Sequence, residues 1–462
     1  MHKSQKGGFK LCSMGYAYVV DKPKLETIDD ATKVYWKCEK YPTCLGRAIS
    51  DGLNPPIKHT KQHRHYPNPD RIECLEIIES TKELAIVTNY NPRSIVKKTQ
   101  LGASEEAISQ LAKPEAIKKL IRRQRNRKFG KIVAKTILDI SIPRELHRTY
   151  SGDLFYYSDS GQEQQNRTIL FTTKSNLELL SQHNNWYMDG TFDISPSFFR
   201  QVYTIHIIIN RRAFPMAYAL LANKKAVTYR KLFKTVKKLV SAPPNSITFD
   251  FELAAINSAK DVFKCDINCC YFHLSQAWFR RVQTHGMHKD YFKKDFLRSF
   301  KMLQAVAYLP TKYTTRGFEI VKENSPYSIQ PLMDYFEQNY VGNFKKFSKT
   351  ERVKPRFESK LWSVHERVKL NLPRTTNSVE AWHGAIQSDE QKHLIVVRIV
   401  ELFREEESKV RNELVLIKKG ETISRPKQND IKRDKSILKL VSEFNKDNIL
   451  QFLEGIKLNL ED

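Results

Sequence analysis

Residues 184–195 read NNWYMDGTFDIS. The run Trp186-Tyr187-Met188 is bulky and suited to a strand, and it ends in a carboxylate, Asp189, with Gly190 behind it. An acid at a strand tip either turns the chain or holds something at the edge of a sheet. The stretches that follow favour a sheet: VYTIHIII (202–209), AFPMAYALL (213–221), SITFD (246–250) and CCYFH (269–273) read as strands. Between and after them TYRKLFKTVKKLV (228–240), ELAAINSAKDVF (252–263) and LSQAWFRRVQTHG (274–286) have helical apolar spacing. Strands alternating with helices predict an α/β sheet domain from 186 to 289.

The chain has 462 residues, too many for one ordinary domain, and 40% hydrophobic content fills a sizeable core. Its 78 Lys plus Arg against 51 Asp plus Glu leave a net charge of +27. Such an excess repels itself unless a polyanion neutralises it, and nucleic acid is the expected partner. The longest apolar stretch, VYTIHIIIN, is too short for a bilayer span and carries His206, and MHKSQKGG at the start has no apolar signal core, so no membrane role is expected. Seven cysteines, an odd number, favour buried or metal-binding thiols over a disulfide framework, hence a reducing compartment, cytoplasm or nucleus.

Flanking regions differ in kind. Residues 80–150 turn helical and basic: in KPEAIKKLIRRQRNRKFG, Pro114 suits a first helical turn and Gly130 a stop. Ile117, Leu120 and Ile121 make a narrow apolar stripe, and the rest is positive: Lys118, Lys119, Arg122, Arg123, Arg125, Arg127 and Lys128, a candidate DNA-binding face. Residues 290–370 have helical spacing interrupted by prolines and read as an all-α insertion. A long amphipathic helix over 393–418 presents Val396, Val400, Phe403, Val410, Leu414 and Ile417, a stripe for the chain's own sheet or for a second copy in a homodimer. Residues 419–462 read as a charged, partly mobile tail.

Near the N-terminus Cys38 and Cys44 are spaced C-x5-C, and His63 and His65 follow as H-x-H. Two thiolates and two imidazoles make a tetrahedral set for zinc, and so small a module lacks the buried area to fold without it. Leu11, Gly15, Tyr16 and Tyr18 in KLCSMGYAYVV, then YWKC, the second Cys and H-x-H, resemble the FLYWCH-type zinc finger over residues 1–68. That resemblance implies a small β-rich domain with these four ligands, although the family's leading Phe has no clear counterpart here.

Asp189 has two prospective companions. Asp250 ends the run SITFD, and Glu380 follows the capping run Thr375-Thr376-Asn377-Ser378 in LPRTTNSVEAWHG, where Ser378 suits a helix cap and Glu380 its first turn. Three clustered carboxylates repel unless cations lie between them, which points to Mg²⁺ or Mn²⁺ and phosphodiester chemistry. The segments DGTF, DFELA, CYFHLSQAWFRRVQTHG and LPRTTNSVEAWH, in this order, resemble the catalytic domain of MULE (Mutator-like element) transposases. The resemblance implies a ribonuclease-H-like core, in two parts at 151–289 and 371–418 around the insertion, with a D-D-E triad on Asp189, Asp250 and Glu380. It also implies a C-x-x-H element on Cys270 and His273. No cysteine follows Cys270, so the C-terminal zinc knuckle of many relatives is absent.

Cys265, Cys269, Cys270 and His273 admit a second zinc site, but a buried strand carrying core thiols beside a structural histidine is the simpler reading. His273 and His383 are candidates to support the metal ligands, His383 with a capping or packing role equally open. No G-x-S-x-G, G-x-x-x-x-G-K-[ST] or H-E-x-x-H motif occurs. The expectation is therefore a nuclear DNA transposase that binds element ends and target. Its rivals are a non-catalytic DNA-binding or chromatin protein descended from one, and a structural zinc protein.

Overall fold

The structure is a computed structural model and describes residues 2–3, 8–88, 90–129, 136–161, 165–348, 350–389, 395–421 and 427–460. Gly130, read as a helix stop, lies outside them. The chain divides into two compact units, Met1–Ile132 and, apart from Asp389–Gln391, the residues from Val133 onward.

The first unit opens with six antiparallel strands in sequential order: β1 (His2–Lys3), β2 (Phe9–Ser13), β3 (Tyr16–Lys22), β4 (Lys33–Cys38), β5 (Arg47–Asp51) and β6 (Asn54–Lys61). Alternation along β4 buries Val34, Trp36 and Cys38 on one face and leaves Lys33 and Tyr35 outside. The core is small: Leu11, Tyr18, Ile28, Val34, Trp36 and Ala48. Four helices follow, α1 (Pro69–Val87), α2 (Pro92–Thr99), α3 (Glu105–Ser109) and α4 (Pro114–Phe129). Prolines at the starts of α1 and α2 follow the cap residues Asn68 and Asn91, whose side chains accept from Arg71 N and Ser94 N. Ala85, Ile95, Val96, Ile117 and Ile121 hold these helices together.

The second unit is built on a seven-stranded mixed sheet: β7 (Tyr156–Asp159), β8 (Thr168–Thr172), β9 (Asn185–Thr191), β10 (Gln201–Ile209), β11 (Arg212–Leu221), β12 (Ser246–Phe249) and β13 (Asp266–Cys269), in the order β13-β12-β9-β10-β11-β8-β7. β9, β12 and β13 run parallel, and the remaining pairings are antiparallel. Asn210 and Arg211, both at positive φ, turn β10 into β11. Among the strands lie α5 (Lys174–Gln182), α6 (Ala226–Leu239) and α7 (Leu253–Phe263), and α8 (Tyr271–Thr284) follows the last of them. Beyond these come α9 (His288–Tyr291), α10 (Lys294–Ala305), α11 (Thr314–Glu323), α12 (Gln330–Phe336), α13 (Ser359–Trp362), α14 (His365–Lys369), α15 (Asn377–Asp389), α16 (Val396–Lys418), α17 (Gln428–Ser442) and α18 (Ile449–Leu458). Phe300, Leu303 and Phe336 of the inserted helices share one core with Trp186, Ile247 and Phe249 of the sheet. The insertion is thus an extension of that core.

Several expectations change. The stretch 269–273 is not a strand: β13 stops at Cys269, Cys270 caps, and His273 falls in the first turn of α8. α15 begins at Asn377, so Ser378 lies inside the helix instead of capping it, and the first amides reach Thr376 O (Val379 N 2.7 Å, Glu380 N 2.9 Å). Among its described residues the tail is structured: α17 and α18 bury Ile437, Val441, Phe452, Leu453 and Ile456 in the main core. Two strands precede those the pattern predicts: β7, Tyr156–Asp159, is short and polar, and β8, Thr168–Thr172, is a buried run of only five residues. The apolar stripe of α16 is taken by the chain itself. Phe403 stacks on Tyr218 of β11 at 4.7 Å, Val396, Val400, Val410 and Leu414 are buried, and Ile417 packs on the core, which leaves that stripe no face for a second copy. Among the described residues no helix is long and apolar enough to cross a membrane.

One buried charge braces the far end of the sheet. Arg167 is 1% exposed, clamps Asp159 through Nε–Oδ1 (3.0 Å) and Nη2–Oδ2 (2.6 Å), and donates to the carbonyls of Ile137 and Ile140. Replacing Arg167 by Met leaves Asp159 without its counter-ion, and the expected loss is about 3–5 kcal/mol in a urea melt of the full chain.

Candidate metal centre and carboxylate cluster

In the first unit the strands bring together what the spacing suggested. Cys38 sits at the end of β4, Cys44 in the turn after it, and His63 and His65 just past β6. Their ligand atoms all lie within 4.8 Å of one another. Cys38 Sγ is 3.2 Å from His65 Nε2 and Cys44 Sγ 3.4 Å from His63 Nδ1; the edge of a tetrahedron around zinc is about 3.5 Å. Each imidazole has its other nitrogen engaged, His63 Nε2 with Tyr18 Oη (2.7 Å) and His65 Nδ1 with Tyr66 O (2.8 Å), as metal-binding histidines do. Burial pushes the Cys44 thiol up, but the amides of Arg64 and Gly46 outweigh it and hold the thiol below its ordinary value. Tyr16 stacks on His63 at 3.7 Å. The donor set suits zinc.

In the second unit Asp189 lies in β9 and Asp250 directly follows β12. The pairings Ser246↔Asn185, Ile247↔Trp186 and Thr248↔Tyr187, continued along the strands, set Asp250 level with Asp189. The β12–β13 register, from Ser246↔Asp266 to Phe249↔Cys269, sets Cys270 level with both. Three chemically active residues therefore stand in a row at the carboxyl ends of three parallel strands, where ligands of open α/β sheets bind. Gly190 follows Asp189 because a Cβ there would come within 2.4 Å of Gln201 Oε1.

α15 brings the third acid to this edge. Val379 packs on Tyr187, Ile208 and Ala213, and Glu380 Oε1 lies 3.5 Å from His273 Nε2. Cys270, His273 and Glu380 have ligand atoms within 4.8 Å of one another, a grouping to which neither aspartate belongs. His383, one turn along α15, places Nδ1 3.2 Å from Asp189 Oδ2 and Nε2 3.3 Å from Thr204 Oγ1, and Thr204 Oγ1 meets His206 Nε2 at 2.8 Å.

The carboxylates feel one another. Burial first, then the charges of Asp189 and Glu252, push Asp250 up to about 6. Burial and Asp189 also raise Glu380, against the pull of His273. Burial alone would lower His273, but Cys270, Glu380 and Asp189 outweigh it and raise it to about 9. Burial opposes ionisation of Cys270, yet His273 and the Thr376 hydroxyl bring the thiol below its ordinary value.

Residues 185–277 match the MULE transposase domain. Residues 1–65 match the FLYWCH zinc finger domain. No curated protein matches the chain. The MULE segment contains Asp189, Asp250, Cys270 and His273 and ends before Glu380; the FLYWCH segment contains all four Cys and His ligands.

Within the MULE segment the structure adds residues that local pattern did not single out. Glu252 accepts from Tyr229 Oη (2.6 Å) and pairs with Lys224 Nζ (2.8 Å), and both Glu252 and Lys224 bear on Asp250. Its D-x-E spacing to Asp250 was the available signal. Arg367, buried outside the segment, donates to Cys269 O at 2.8 Å and pins the end of β13; nothing in its sequence surroundings marks it.

The basic helix α4 divides into two sets. Arg125 donates to the carbonyls of Ala85, Thr88 and Tyr90, and Lys128 to that of Ile86, so both tie down the end of α1. Lys118 pairs with Glu115 at 2.7 Å. Lys119, Arg122, Arg123 and Arg127 are exposed. Replacing these four by Gln should flatten the slope of log affinity against log salt on duplex DNA by up to about 0.9 per residue. Arg125→Gln should instead lower stability and leave the slope nearly unchanged.

Proposed function

We propose that this chain is a DDE-type DNA transposase of the Mutator-like class, with Asp189, Asp250 and Glu380 as the acids that hold Mg²⁺ or Mn²⁺. The observation that carries this reading is the level placement of Asp189 and Asp250 on neighbouring parallel strands with Glu380 brought to the same edge by α15. A ribonuclease-H-like core is supported by the strand order β11-β10-β9-β12-β13, with an antiparallel meander on one side of β9 and parallel strands on the other. The matches to a transposase domain and a zinc finger add the DNA-binding context.

The donor set fits a hard divalent cation. Its oxygens are partly buried, mutually repelling and offset in this structure by the cations His273 and Lys224. When bound, the metal polarises a phosphodiester and activates an attacking oxygen. The chain's own residues do the rest. His383 orients the Asp189 carboxylate, Thr204 backs His383, and Lys224 and His273 keep positive charge where a phosphate would enter. In this reading the zinc finger and the exposed cations of α4 hold the element ends, and the protein works in the nucleus. The zinc finger, 1–68, and the basic helices up to Ile132 are proposed as the DNA-binding part, and the core segments 151–289 and 371–418 with the insertion 290–370 and the residues 419–462 as one catalytic domain with a shared core.

The test is cleavage of labelled DNA carrying the sequences that flank the gene, with Mg²⁺ or Mn²⁺. Metal-dependent nicking followed by joining is expected. Tight DNA binding with no cleavage under either metal would replace this reading with that of a non-catalytic DNA-binding descendant.

A further inference from the structure

Between α12 and α13 the chain forms a hairpin unlike the helices around it. Phe344 and Arg352 bridge, Lys345 N donates to Glu351 O (2.8 Å) and Val353 N to Asn343 O (2.8 Å). Ser348 closes the tip, its hydroxyl accepting from the amides of Thr350 and Glu351. The neck is tightly built. Gly342 has φ 92°, and a Cβ there would lie 1.8 Å from Val353 O.

Arg352 clamps the base. It pairs with Glu337 (2.6 Å) and Glu319 (3.2 Å), donates to Gly342 O, and lies 3.9 Å over the Phe344 ring. Glu337 is held by Lys322 as well. The returning strand ends at Phe357, whose ring meets Phe251 at 4.9 Å, so the hairpin is anchored on the residue next to Asp250.

This rigid support presents Phe347, 97% exposed and at φ 69°. A bulky side chain in that region costs about 1–3 kcal/mol, and so does nothing for the fold that an asparagine or glycine would not do better. Lys346 lies 5.3 Å from the Phe347 ring, Lys345 beside it pairs with Glu351 (2.7 Å), and exposed Lys354 and Arg356 follow farther down the returning strand. Aromatic rings held out among cations stack on bases while the cations meet phosphates.

We propose that the hairpin strands 342–348 and 350–356 form a wedge whose Phe347 stacks on an unpaired or partly unstacked base of the DNA held at the carboxylate edge. The inference rests on the DNA-cleaving reading above and adds that the substrate is distorted near the cut. It is tested with the full chain, without divalent metal, by fluorescence anisotropy on a labelled intact duplex and on the same duplex with a central mismatched bubble. The wild type should prefer the bubble. Phe347→Ala should weaken bubble binding about ten- to a hundred-fold and leave duplex binding unchanged, because stacking is lost while phosphate contacts remain. Phe347→Trp should restore it, and the double change Lys345→Gln and Lys346→Gln should weaken both.

Since Phe347 lies outside the core, none of these outcomes depends on folding. Equal bubble affinity for wild type and Phe347→Ala overturns the wedge and leaves the cleavage reading standing if the wild type still cuts DNA. Failure of the wild type to bind either DNA overturns both.

Discussion

Glu380→Gln should abolish most DNA cleavage while leaving DNA binding at the wild-type level. The substitution keeps side-chain size but removes the charge a divalent cation needs, and transition-state stabilisation worth several kcal/mol corresponds to about 10²–10³-fold in rate. Its neighbours favour a clean result. Glu380 lies in the first turn of a helix, half-buried, facing His273 and within the field of Asp189. Gln retains a carbonyl oxygen for His273, so the fold should persist. A single-turnover assay in Mg²⁺ with gel-shift controls reads both effects. Glu366→Gln is the proper comparison, since that side chain is 73% exposed. Glu337→Gln is not, because Glu337 is only 13% exposed and clamped between Lys322 and Arg352. Glu390, in the charged run SDEQKH, lies outside the described residues. A Glu380→Gln protein that cuts at the wild-type rate puts the third ligand elsewhere and dismantles the triad.

Removal of zinc should unfold the FLYWCH-matching sheet. Its core is a handful of side chains around Trp36 and Tyr18, too little apolar area to offset the entropy of ordering some sixty residues. Structural zinc in small modules supplies on the order of 10–16 kcal/mol. Metal analysis of the full chain should return one zinc from the Cys38, Cys44, His63 and His65 group. Excess chelator should erase amide-exchange protection in β3, β4 and β5 while protection in β9–β12 stays. Cys44→Ser should do the same without chelator. Protection in β4 that survives both treatments would mean that the group holds no structural metal.

Some features were legible because they depend only on neighbours in sequence. Pro114 starting α4, the long apolar runs of β10 and β11, and the helical spacing of 228–240 and 252–263 report local backbone preference and periodicity, which persist in any tertiary setting. The grouping of Cys38, Cys44, His63 and His65 was legible for a related reason: thiols and imidazoles recur rarely, and their short spacings leave few alternative groupings. Where several partners compete, local pattern was a poor guide. CCYFH is apolar enough for a strand, but burial of Cys269 in β13 and the capping position of Cys270 turn its second half into α8.

The sequence by itself determined the alternation of strands and helices, the four-residue Cys and His set, the positive charge of α4 and the presence of acids at strand ends. Only the tertiary structure decided which of these groups meet. The pairing register of β9, β12 and β13 put Asp189 and Asp250 level, because a shift of one residue would have turned every side chain to the opposite face. The end of α1 took Arg125 and Lys128 from the cationic face, since buried or converging carbonyls need donors wherever these come from. β11 took the stripe of α16, and the main core took α17 and α18, because apolar area is buried against whatever long-range packing brings near. Phe347 was left in solvent for the converse reason: its hairpin is fixed at the base by Arg352 and Phe357, and nothing in the local residue pattern encodes where that base is anchored.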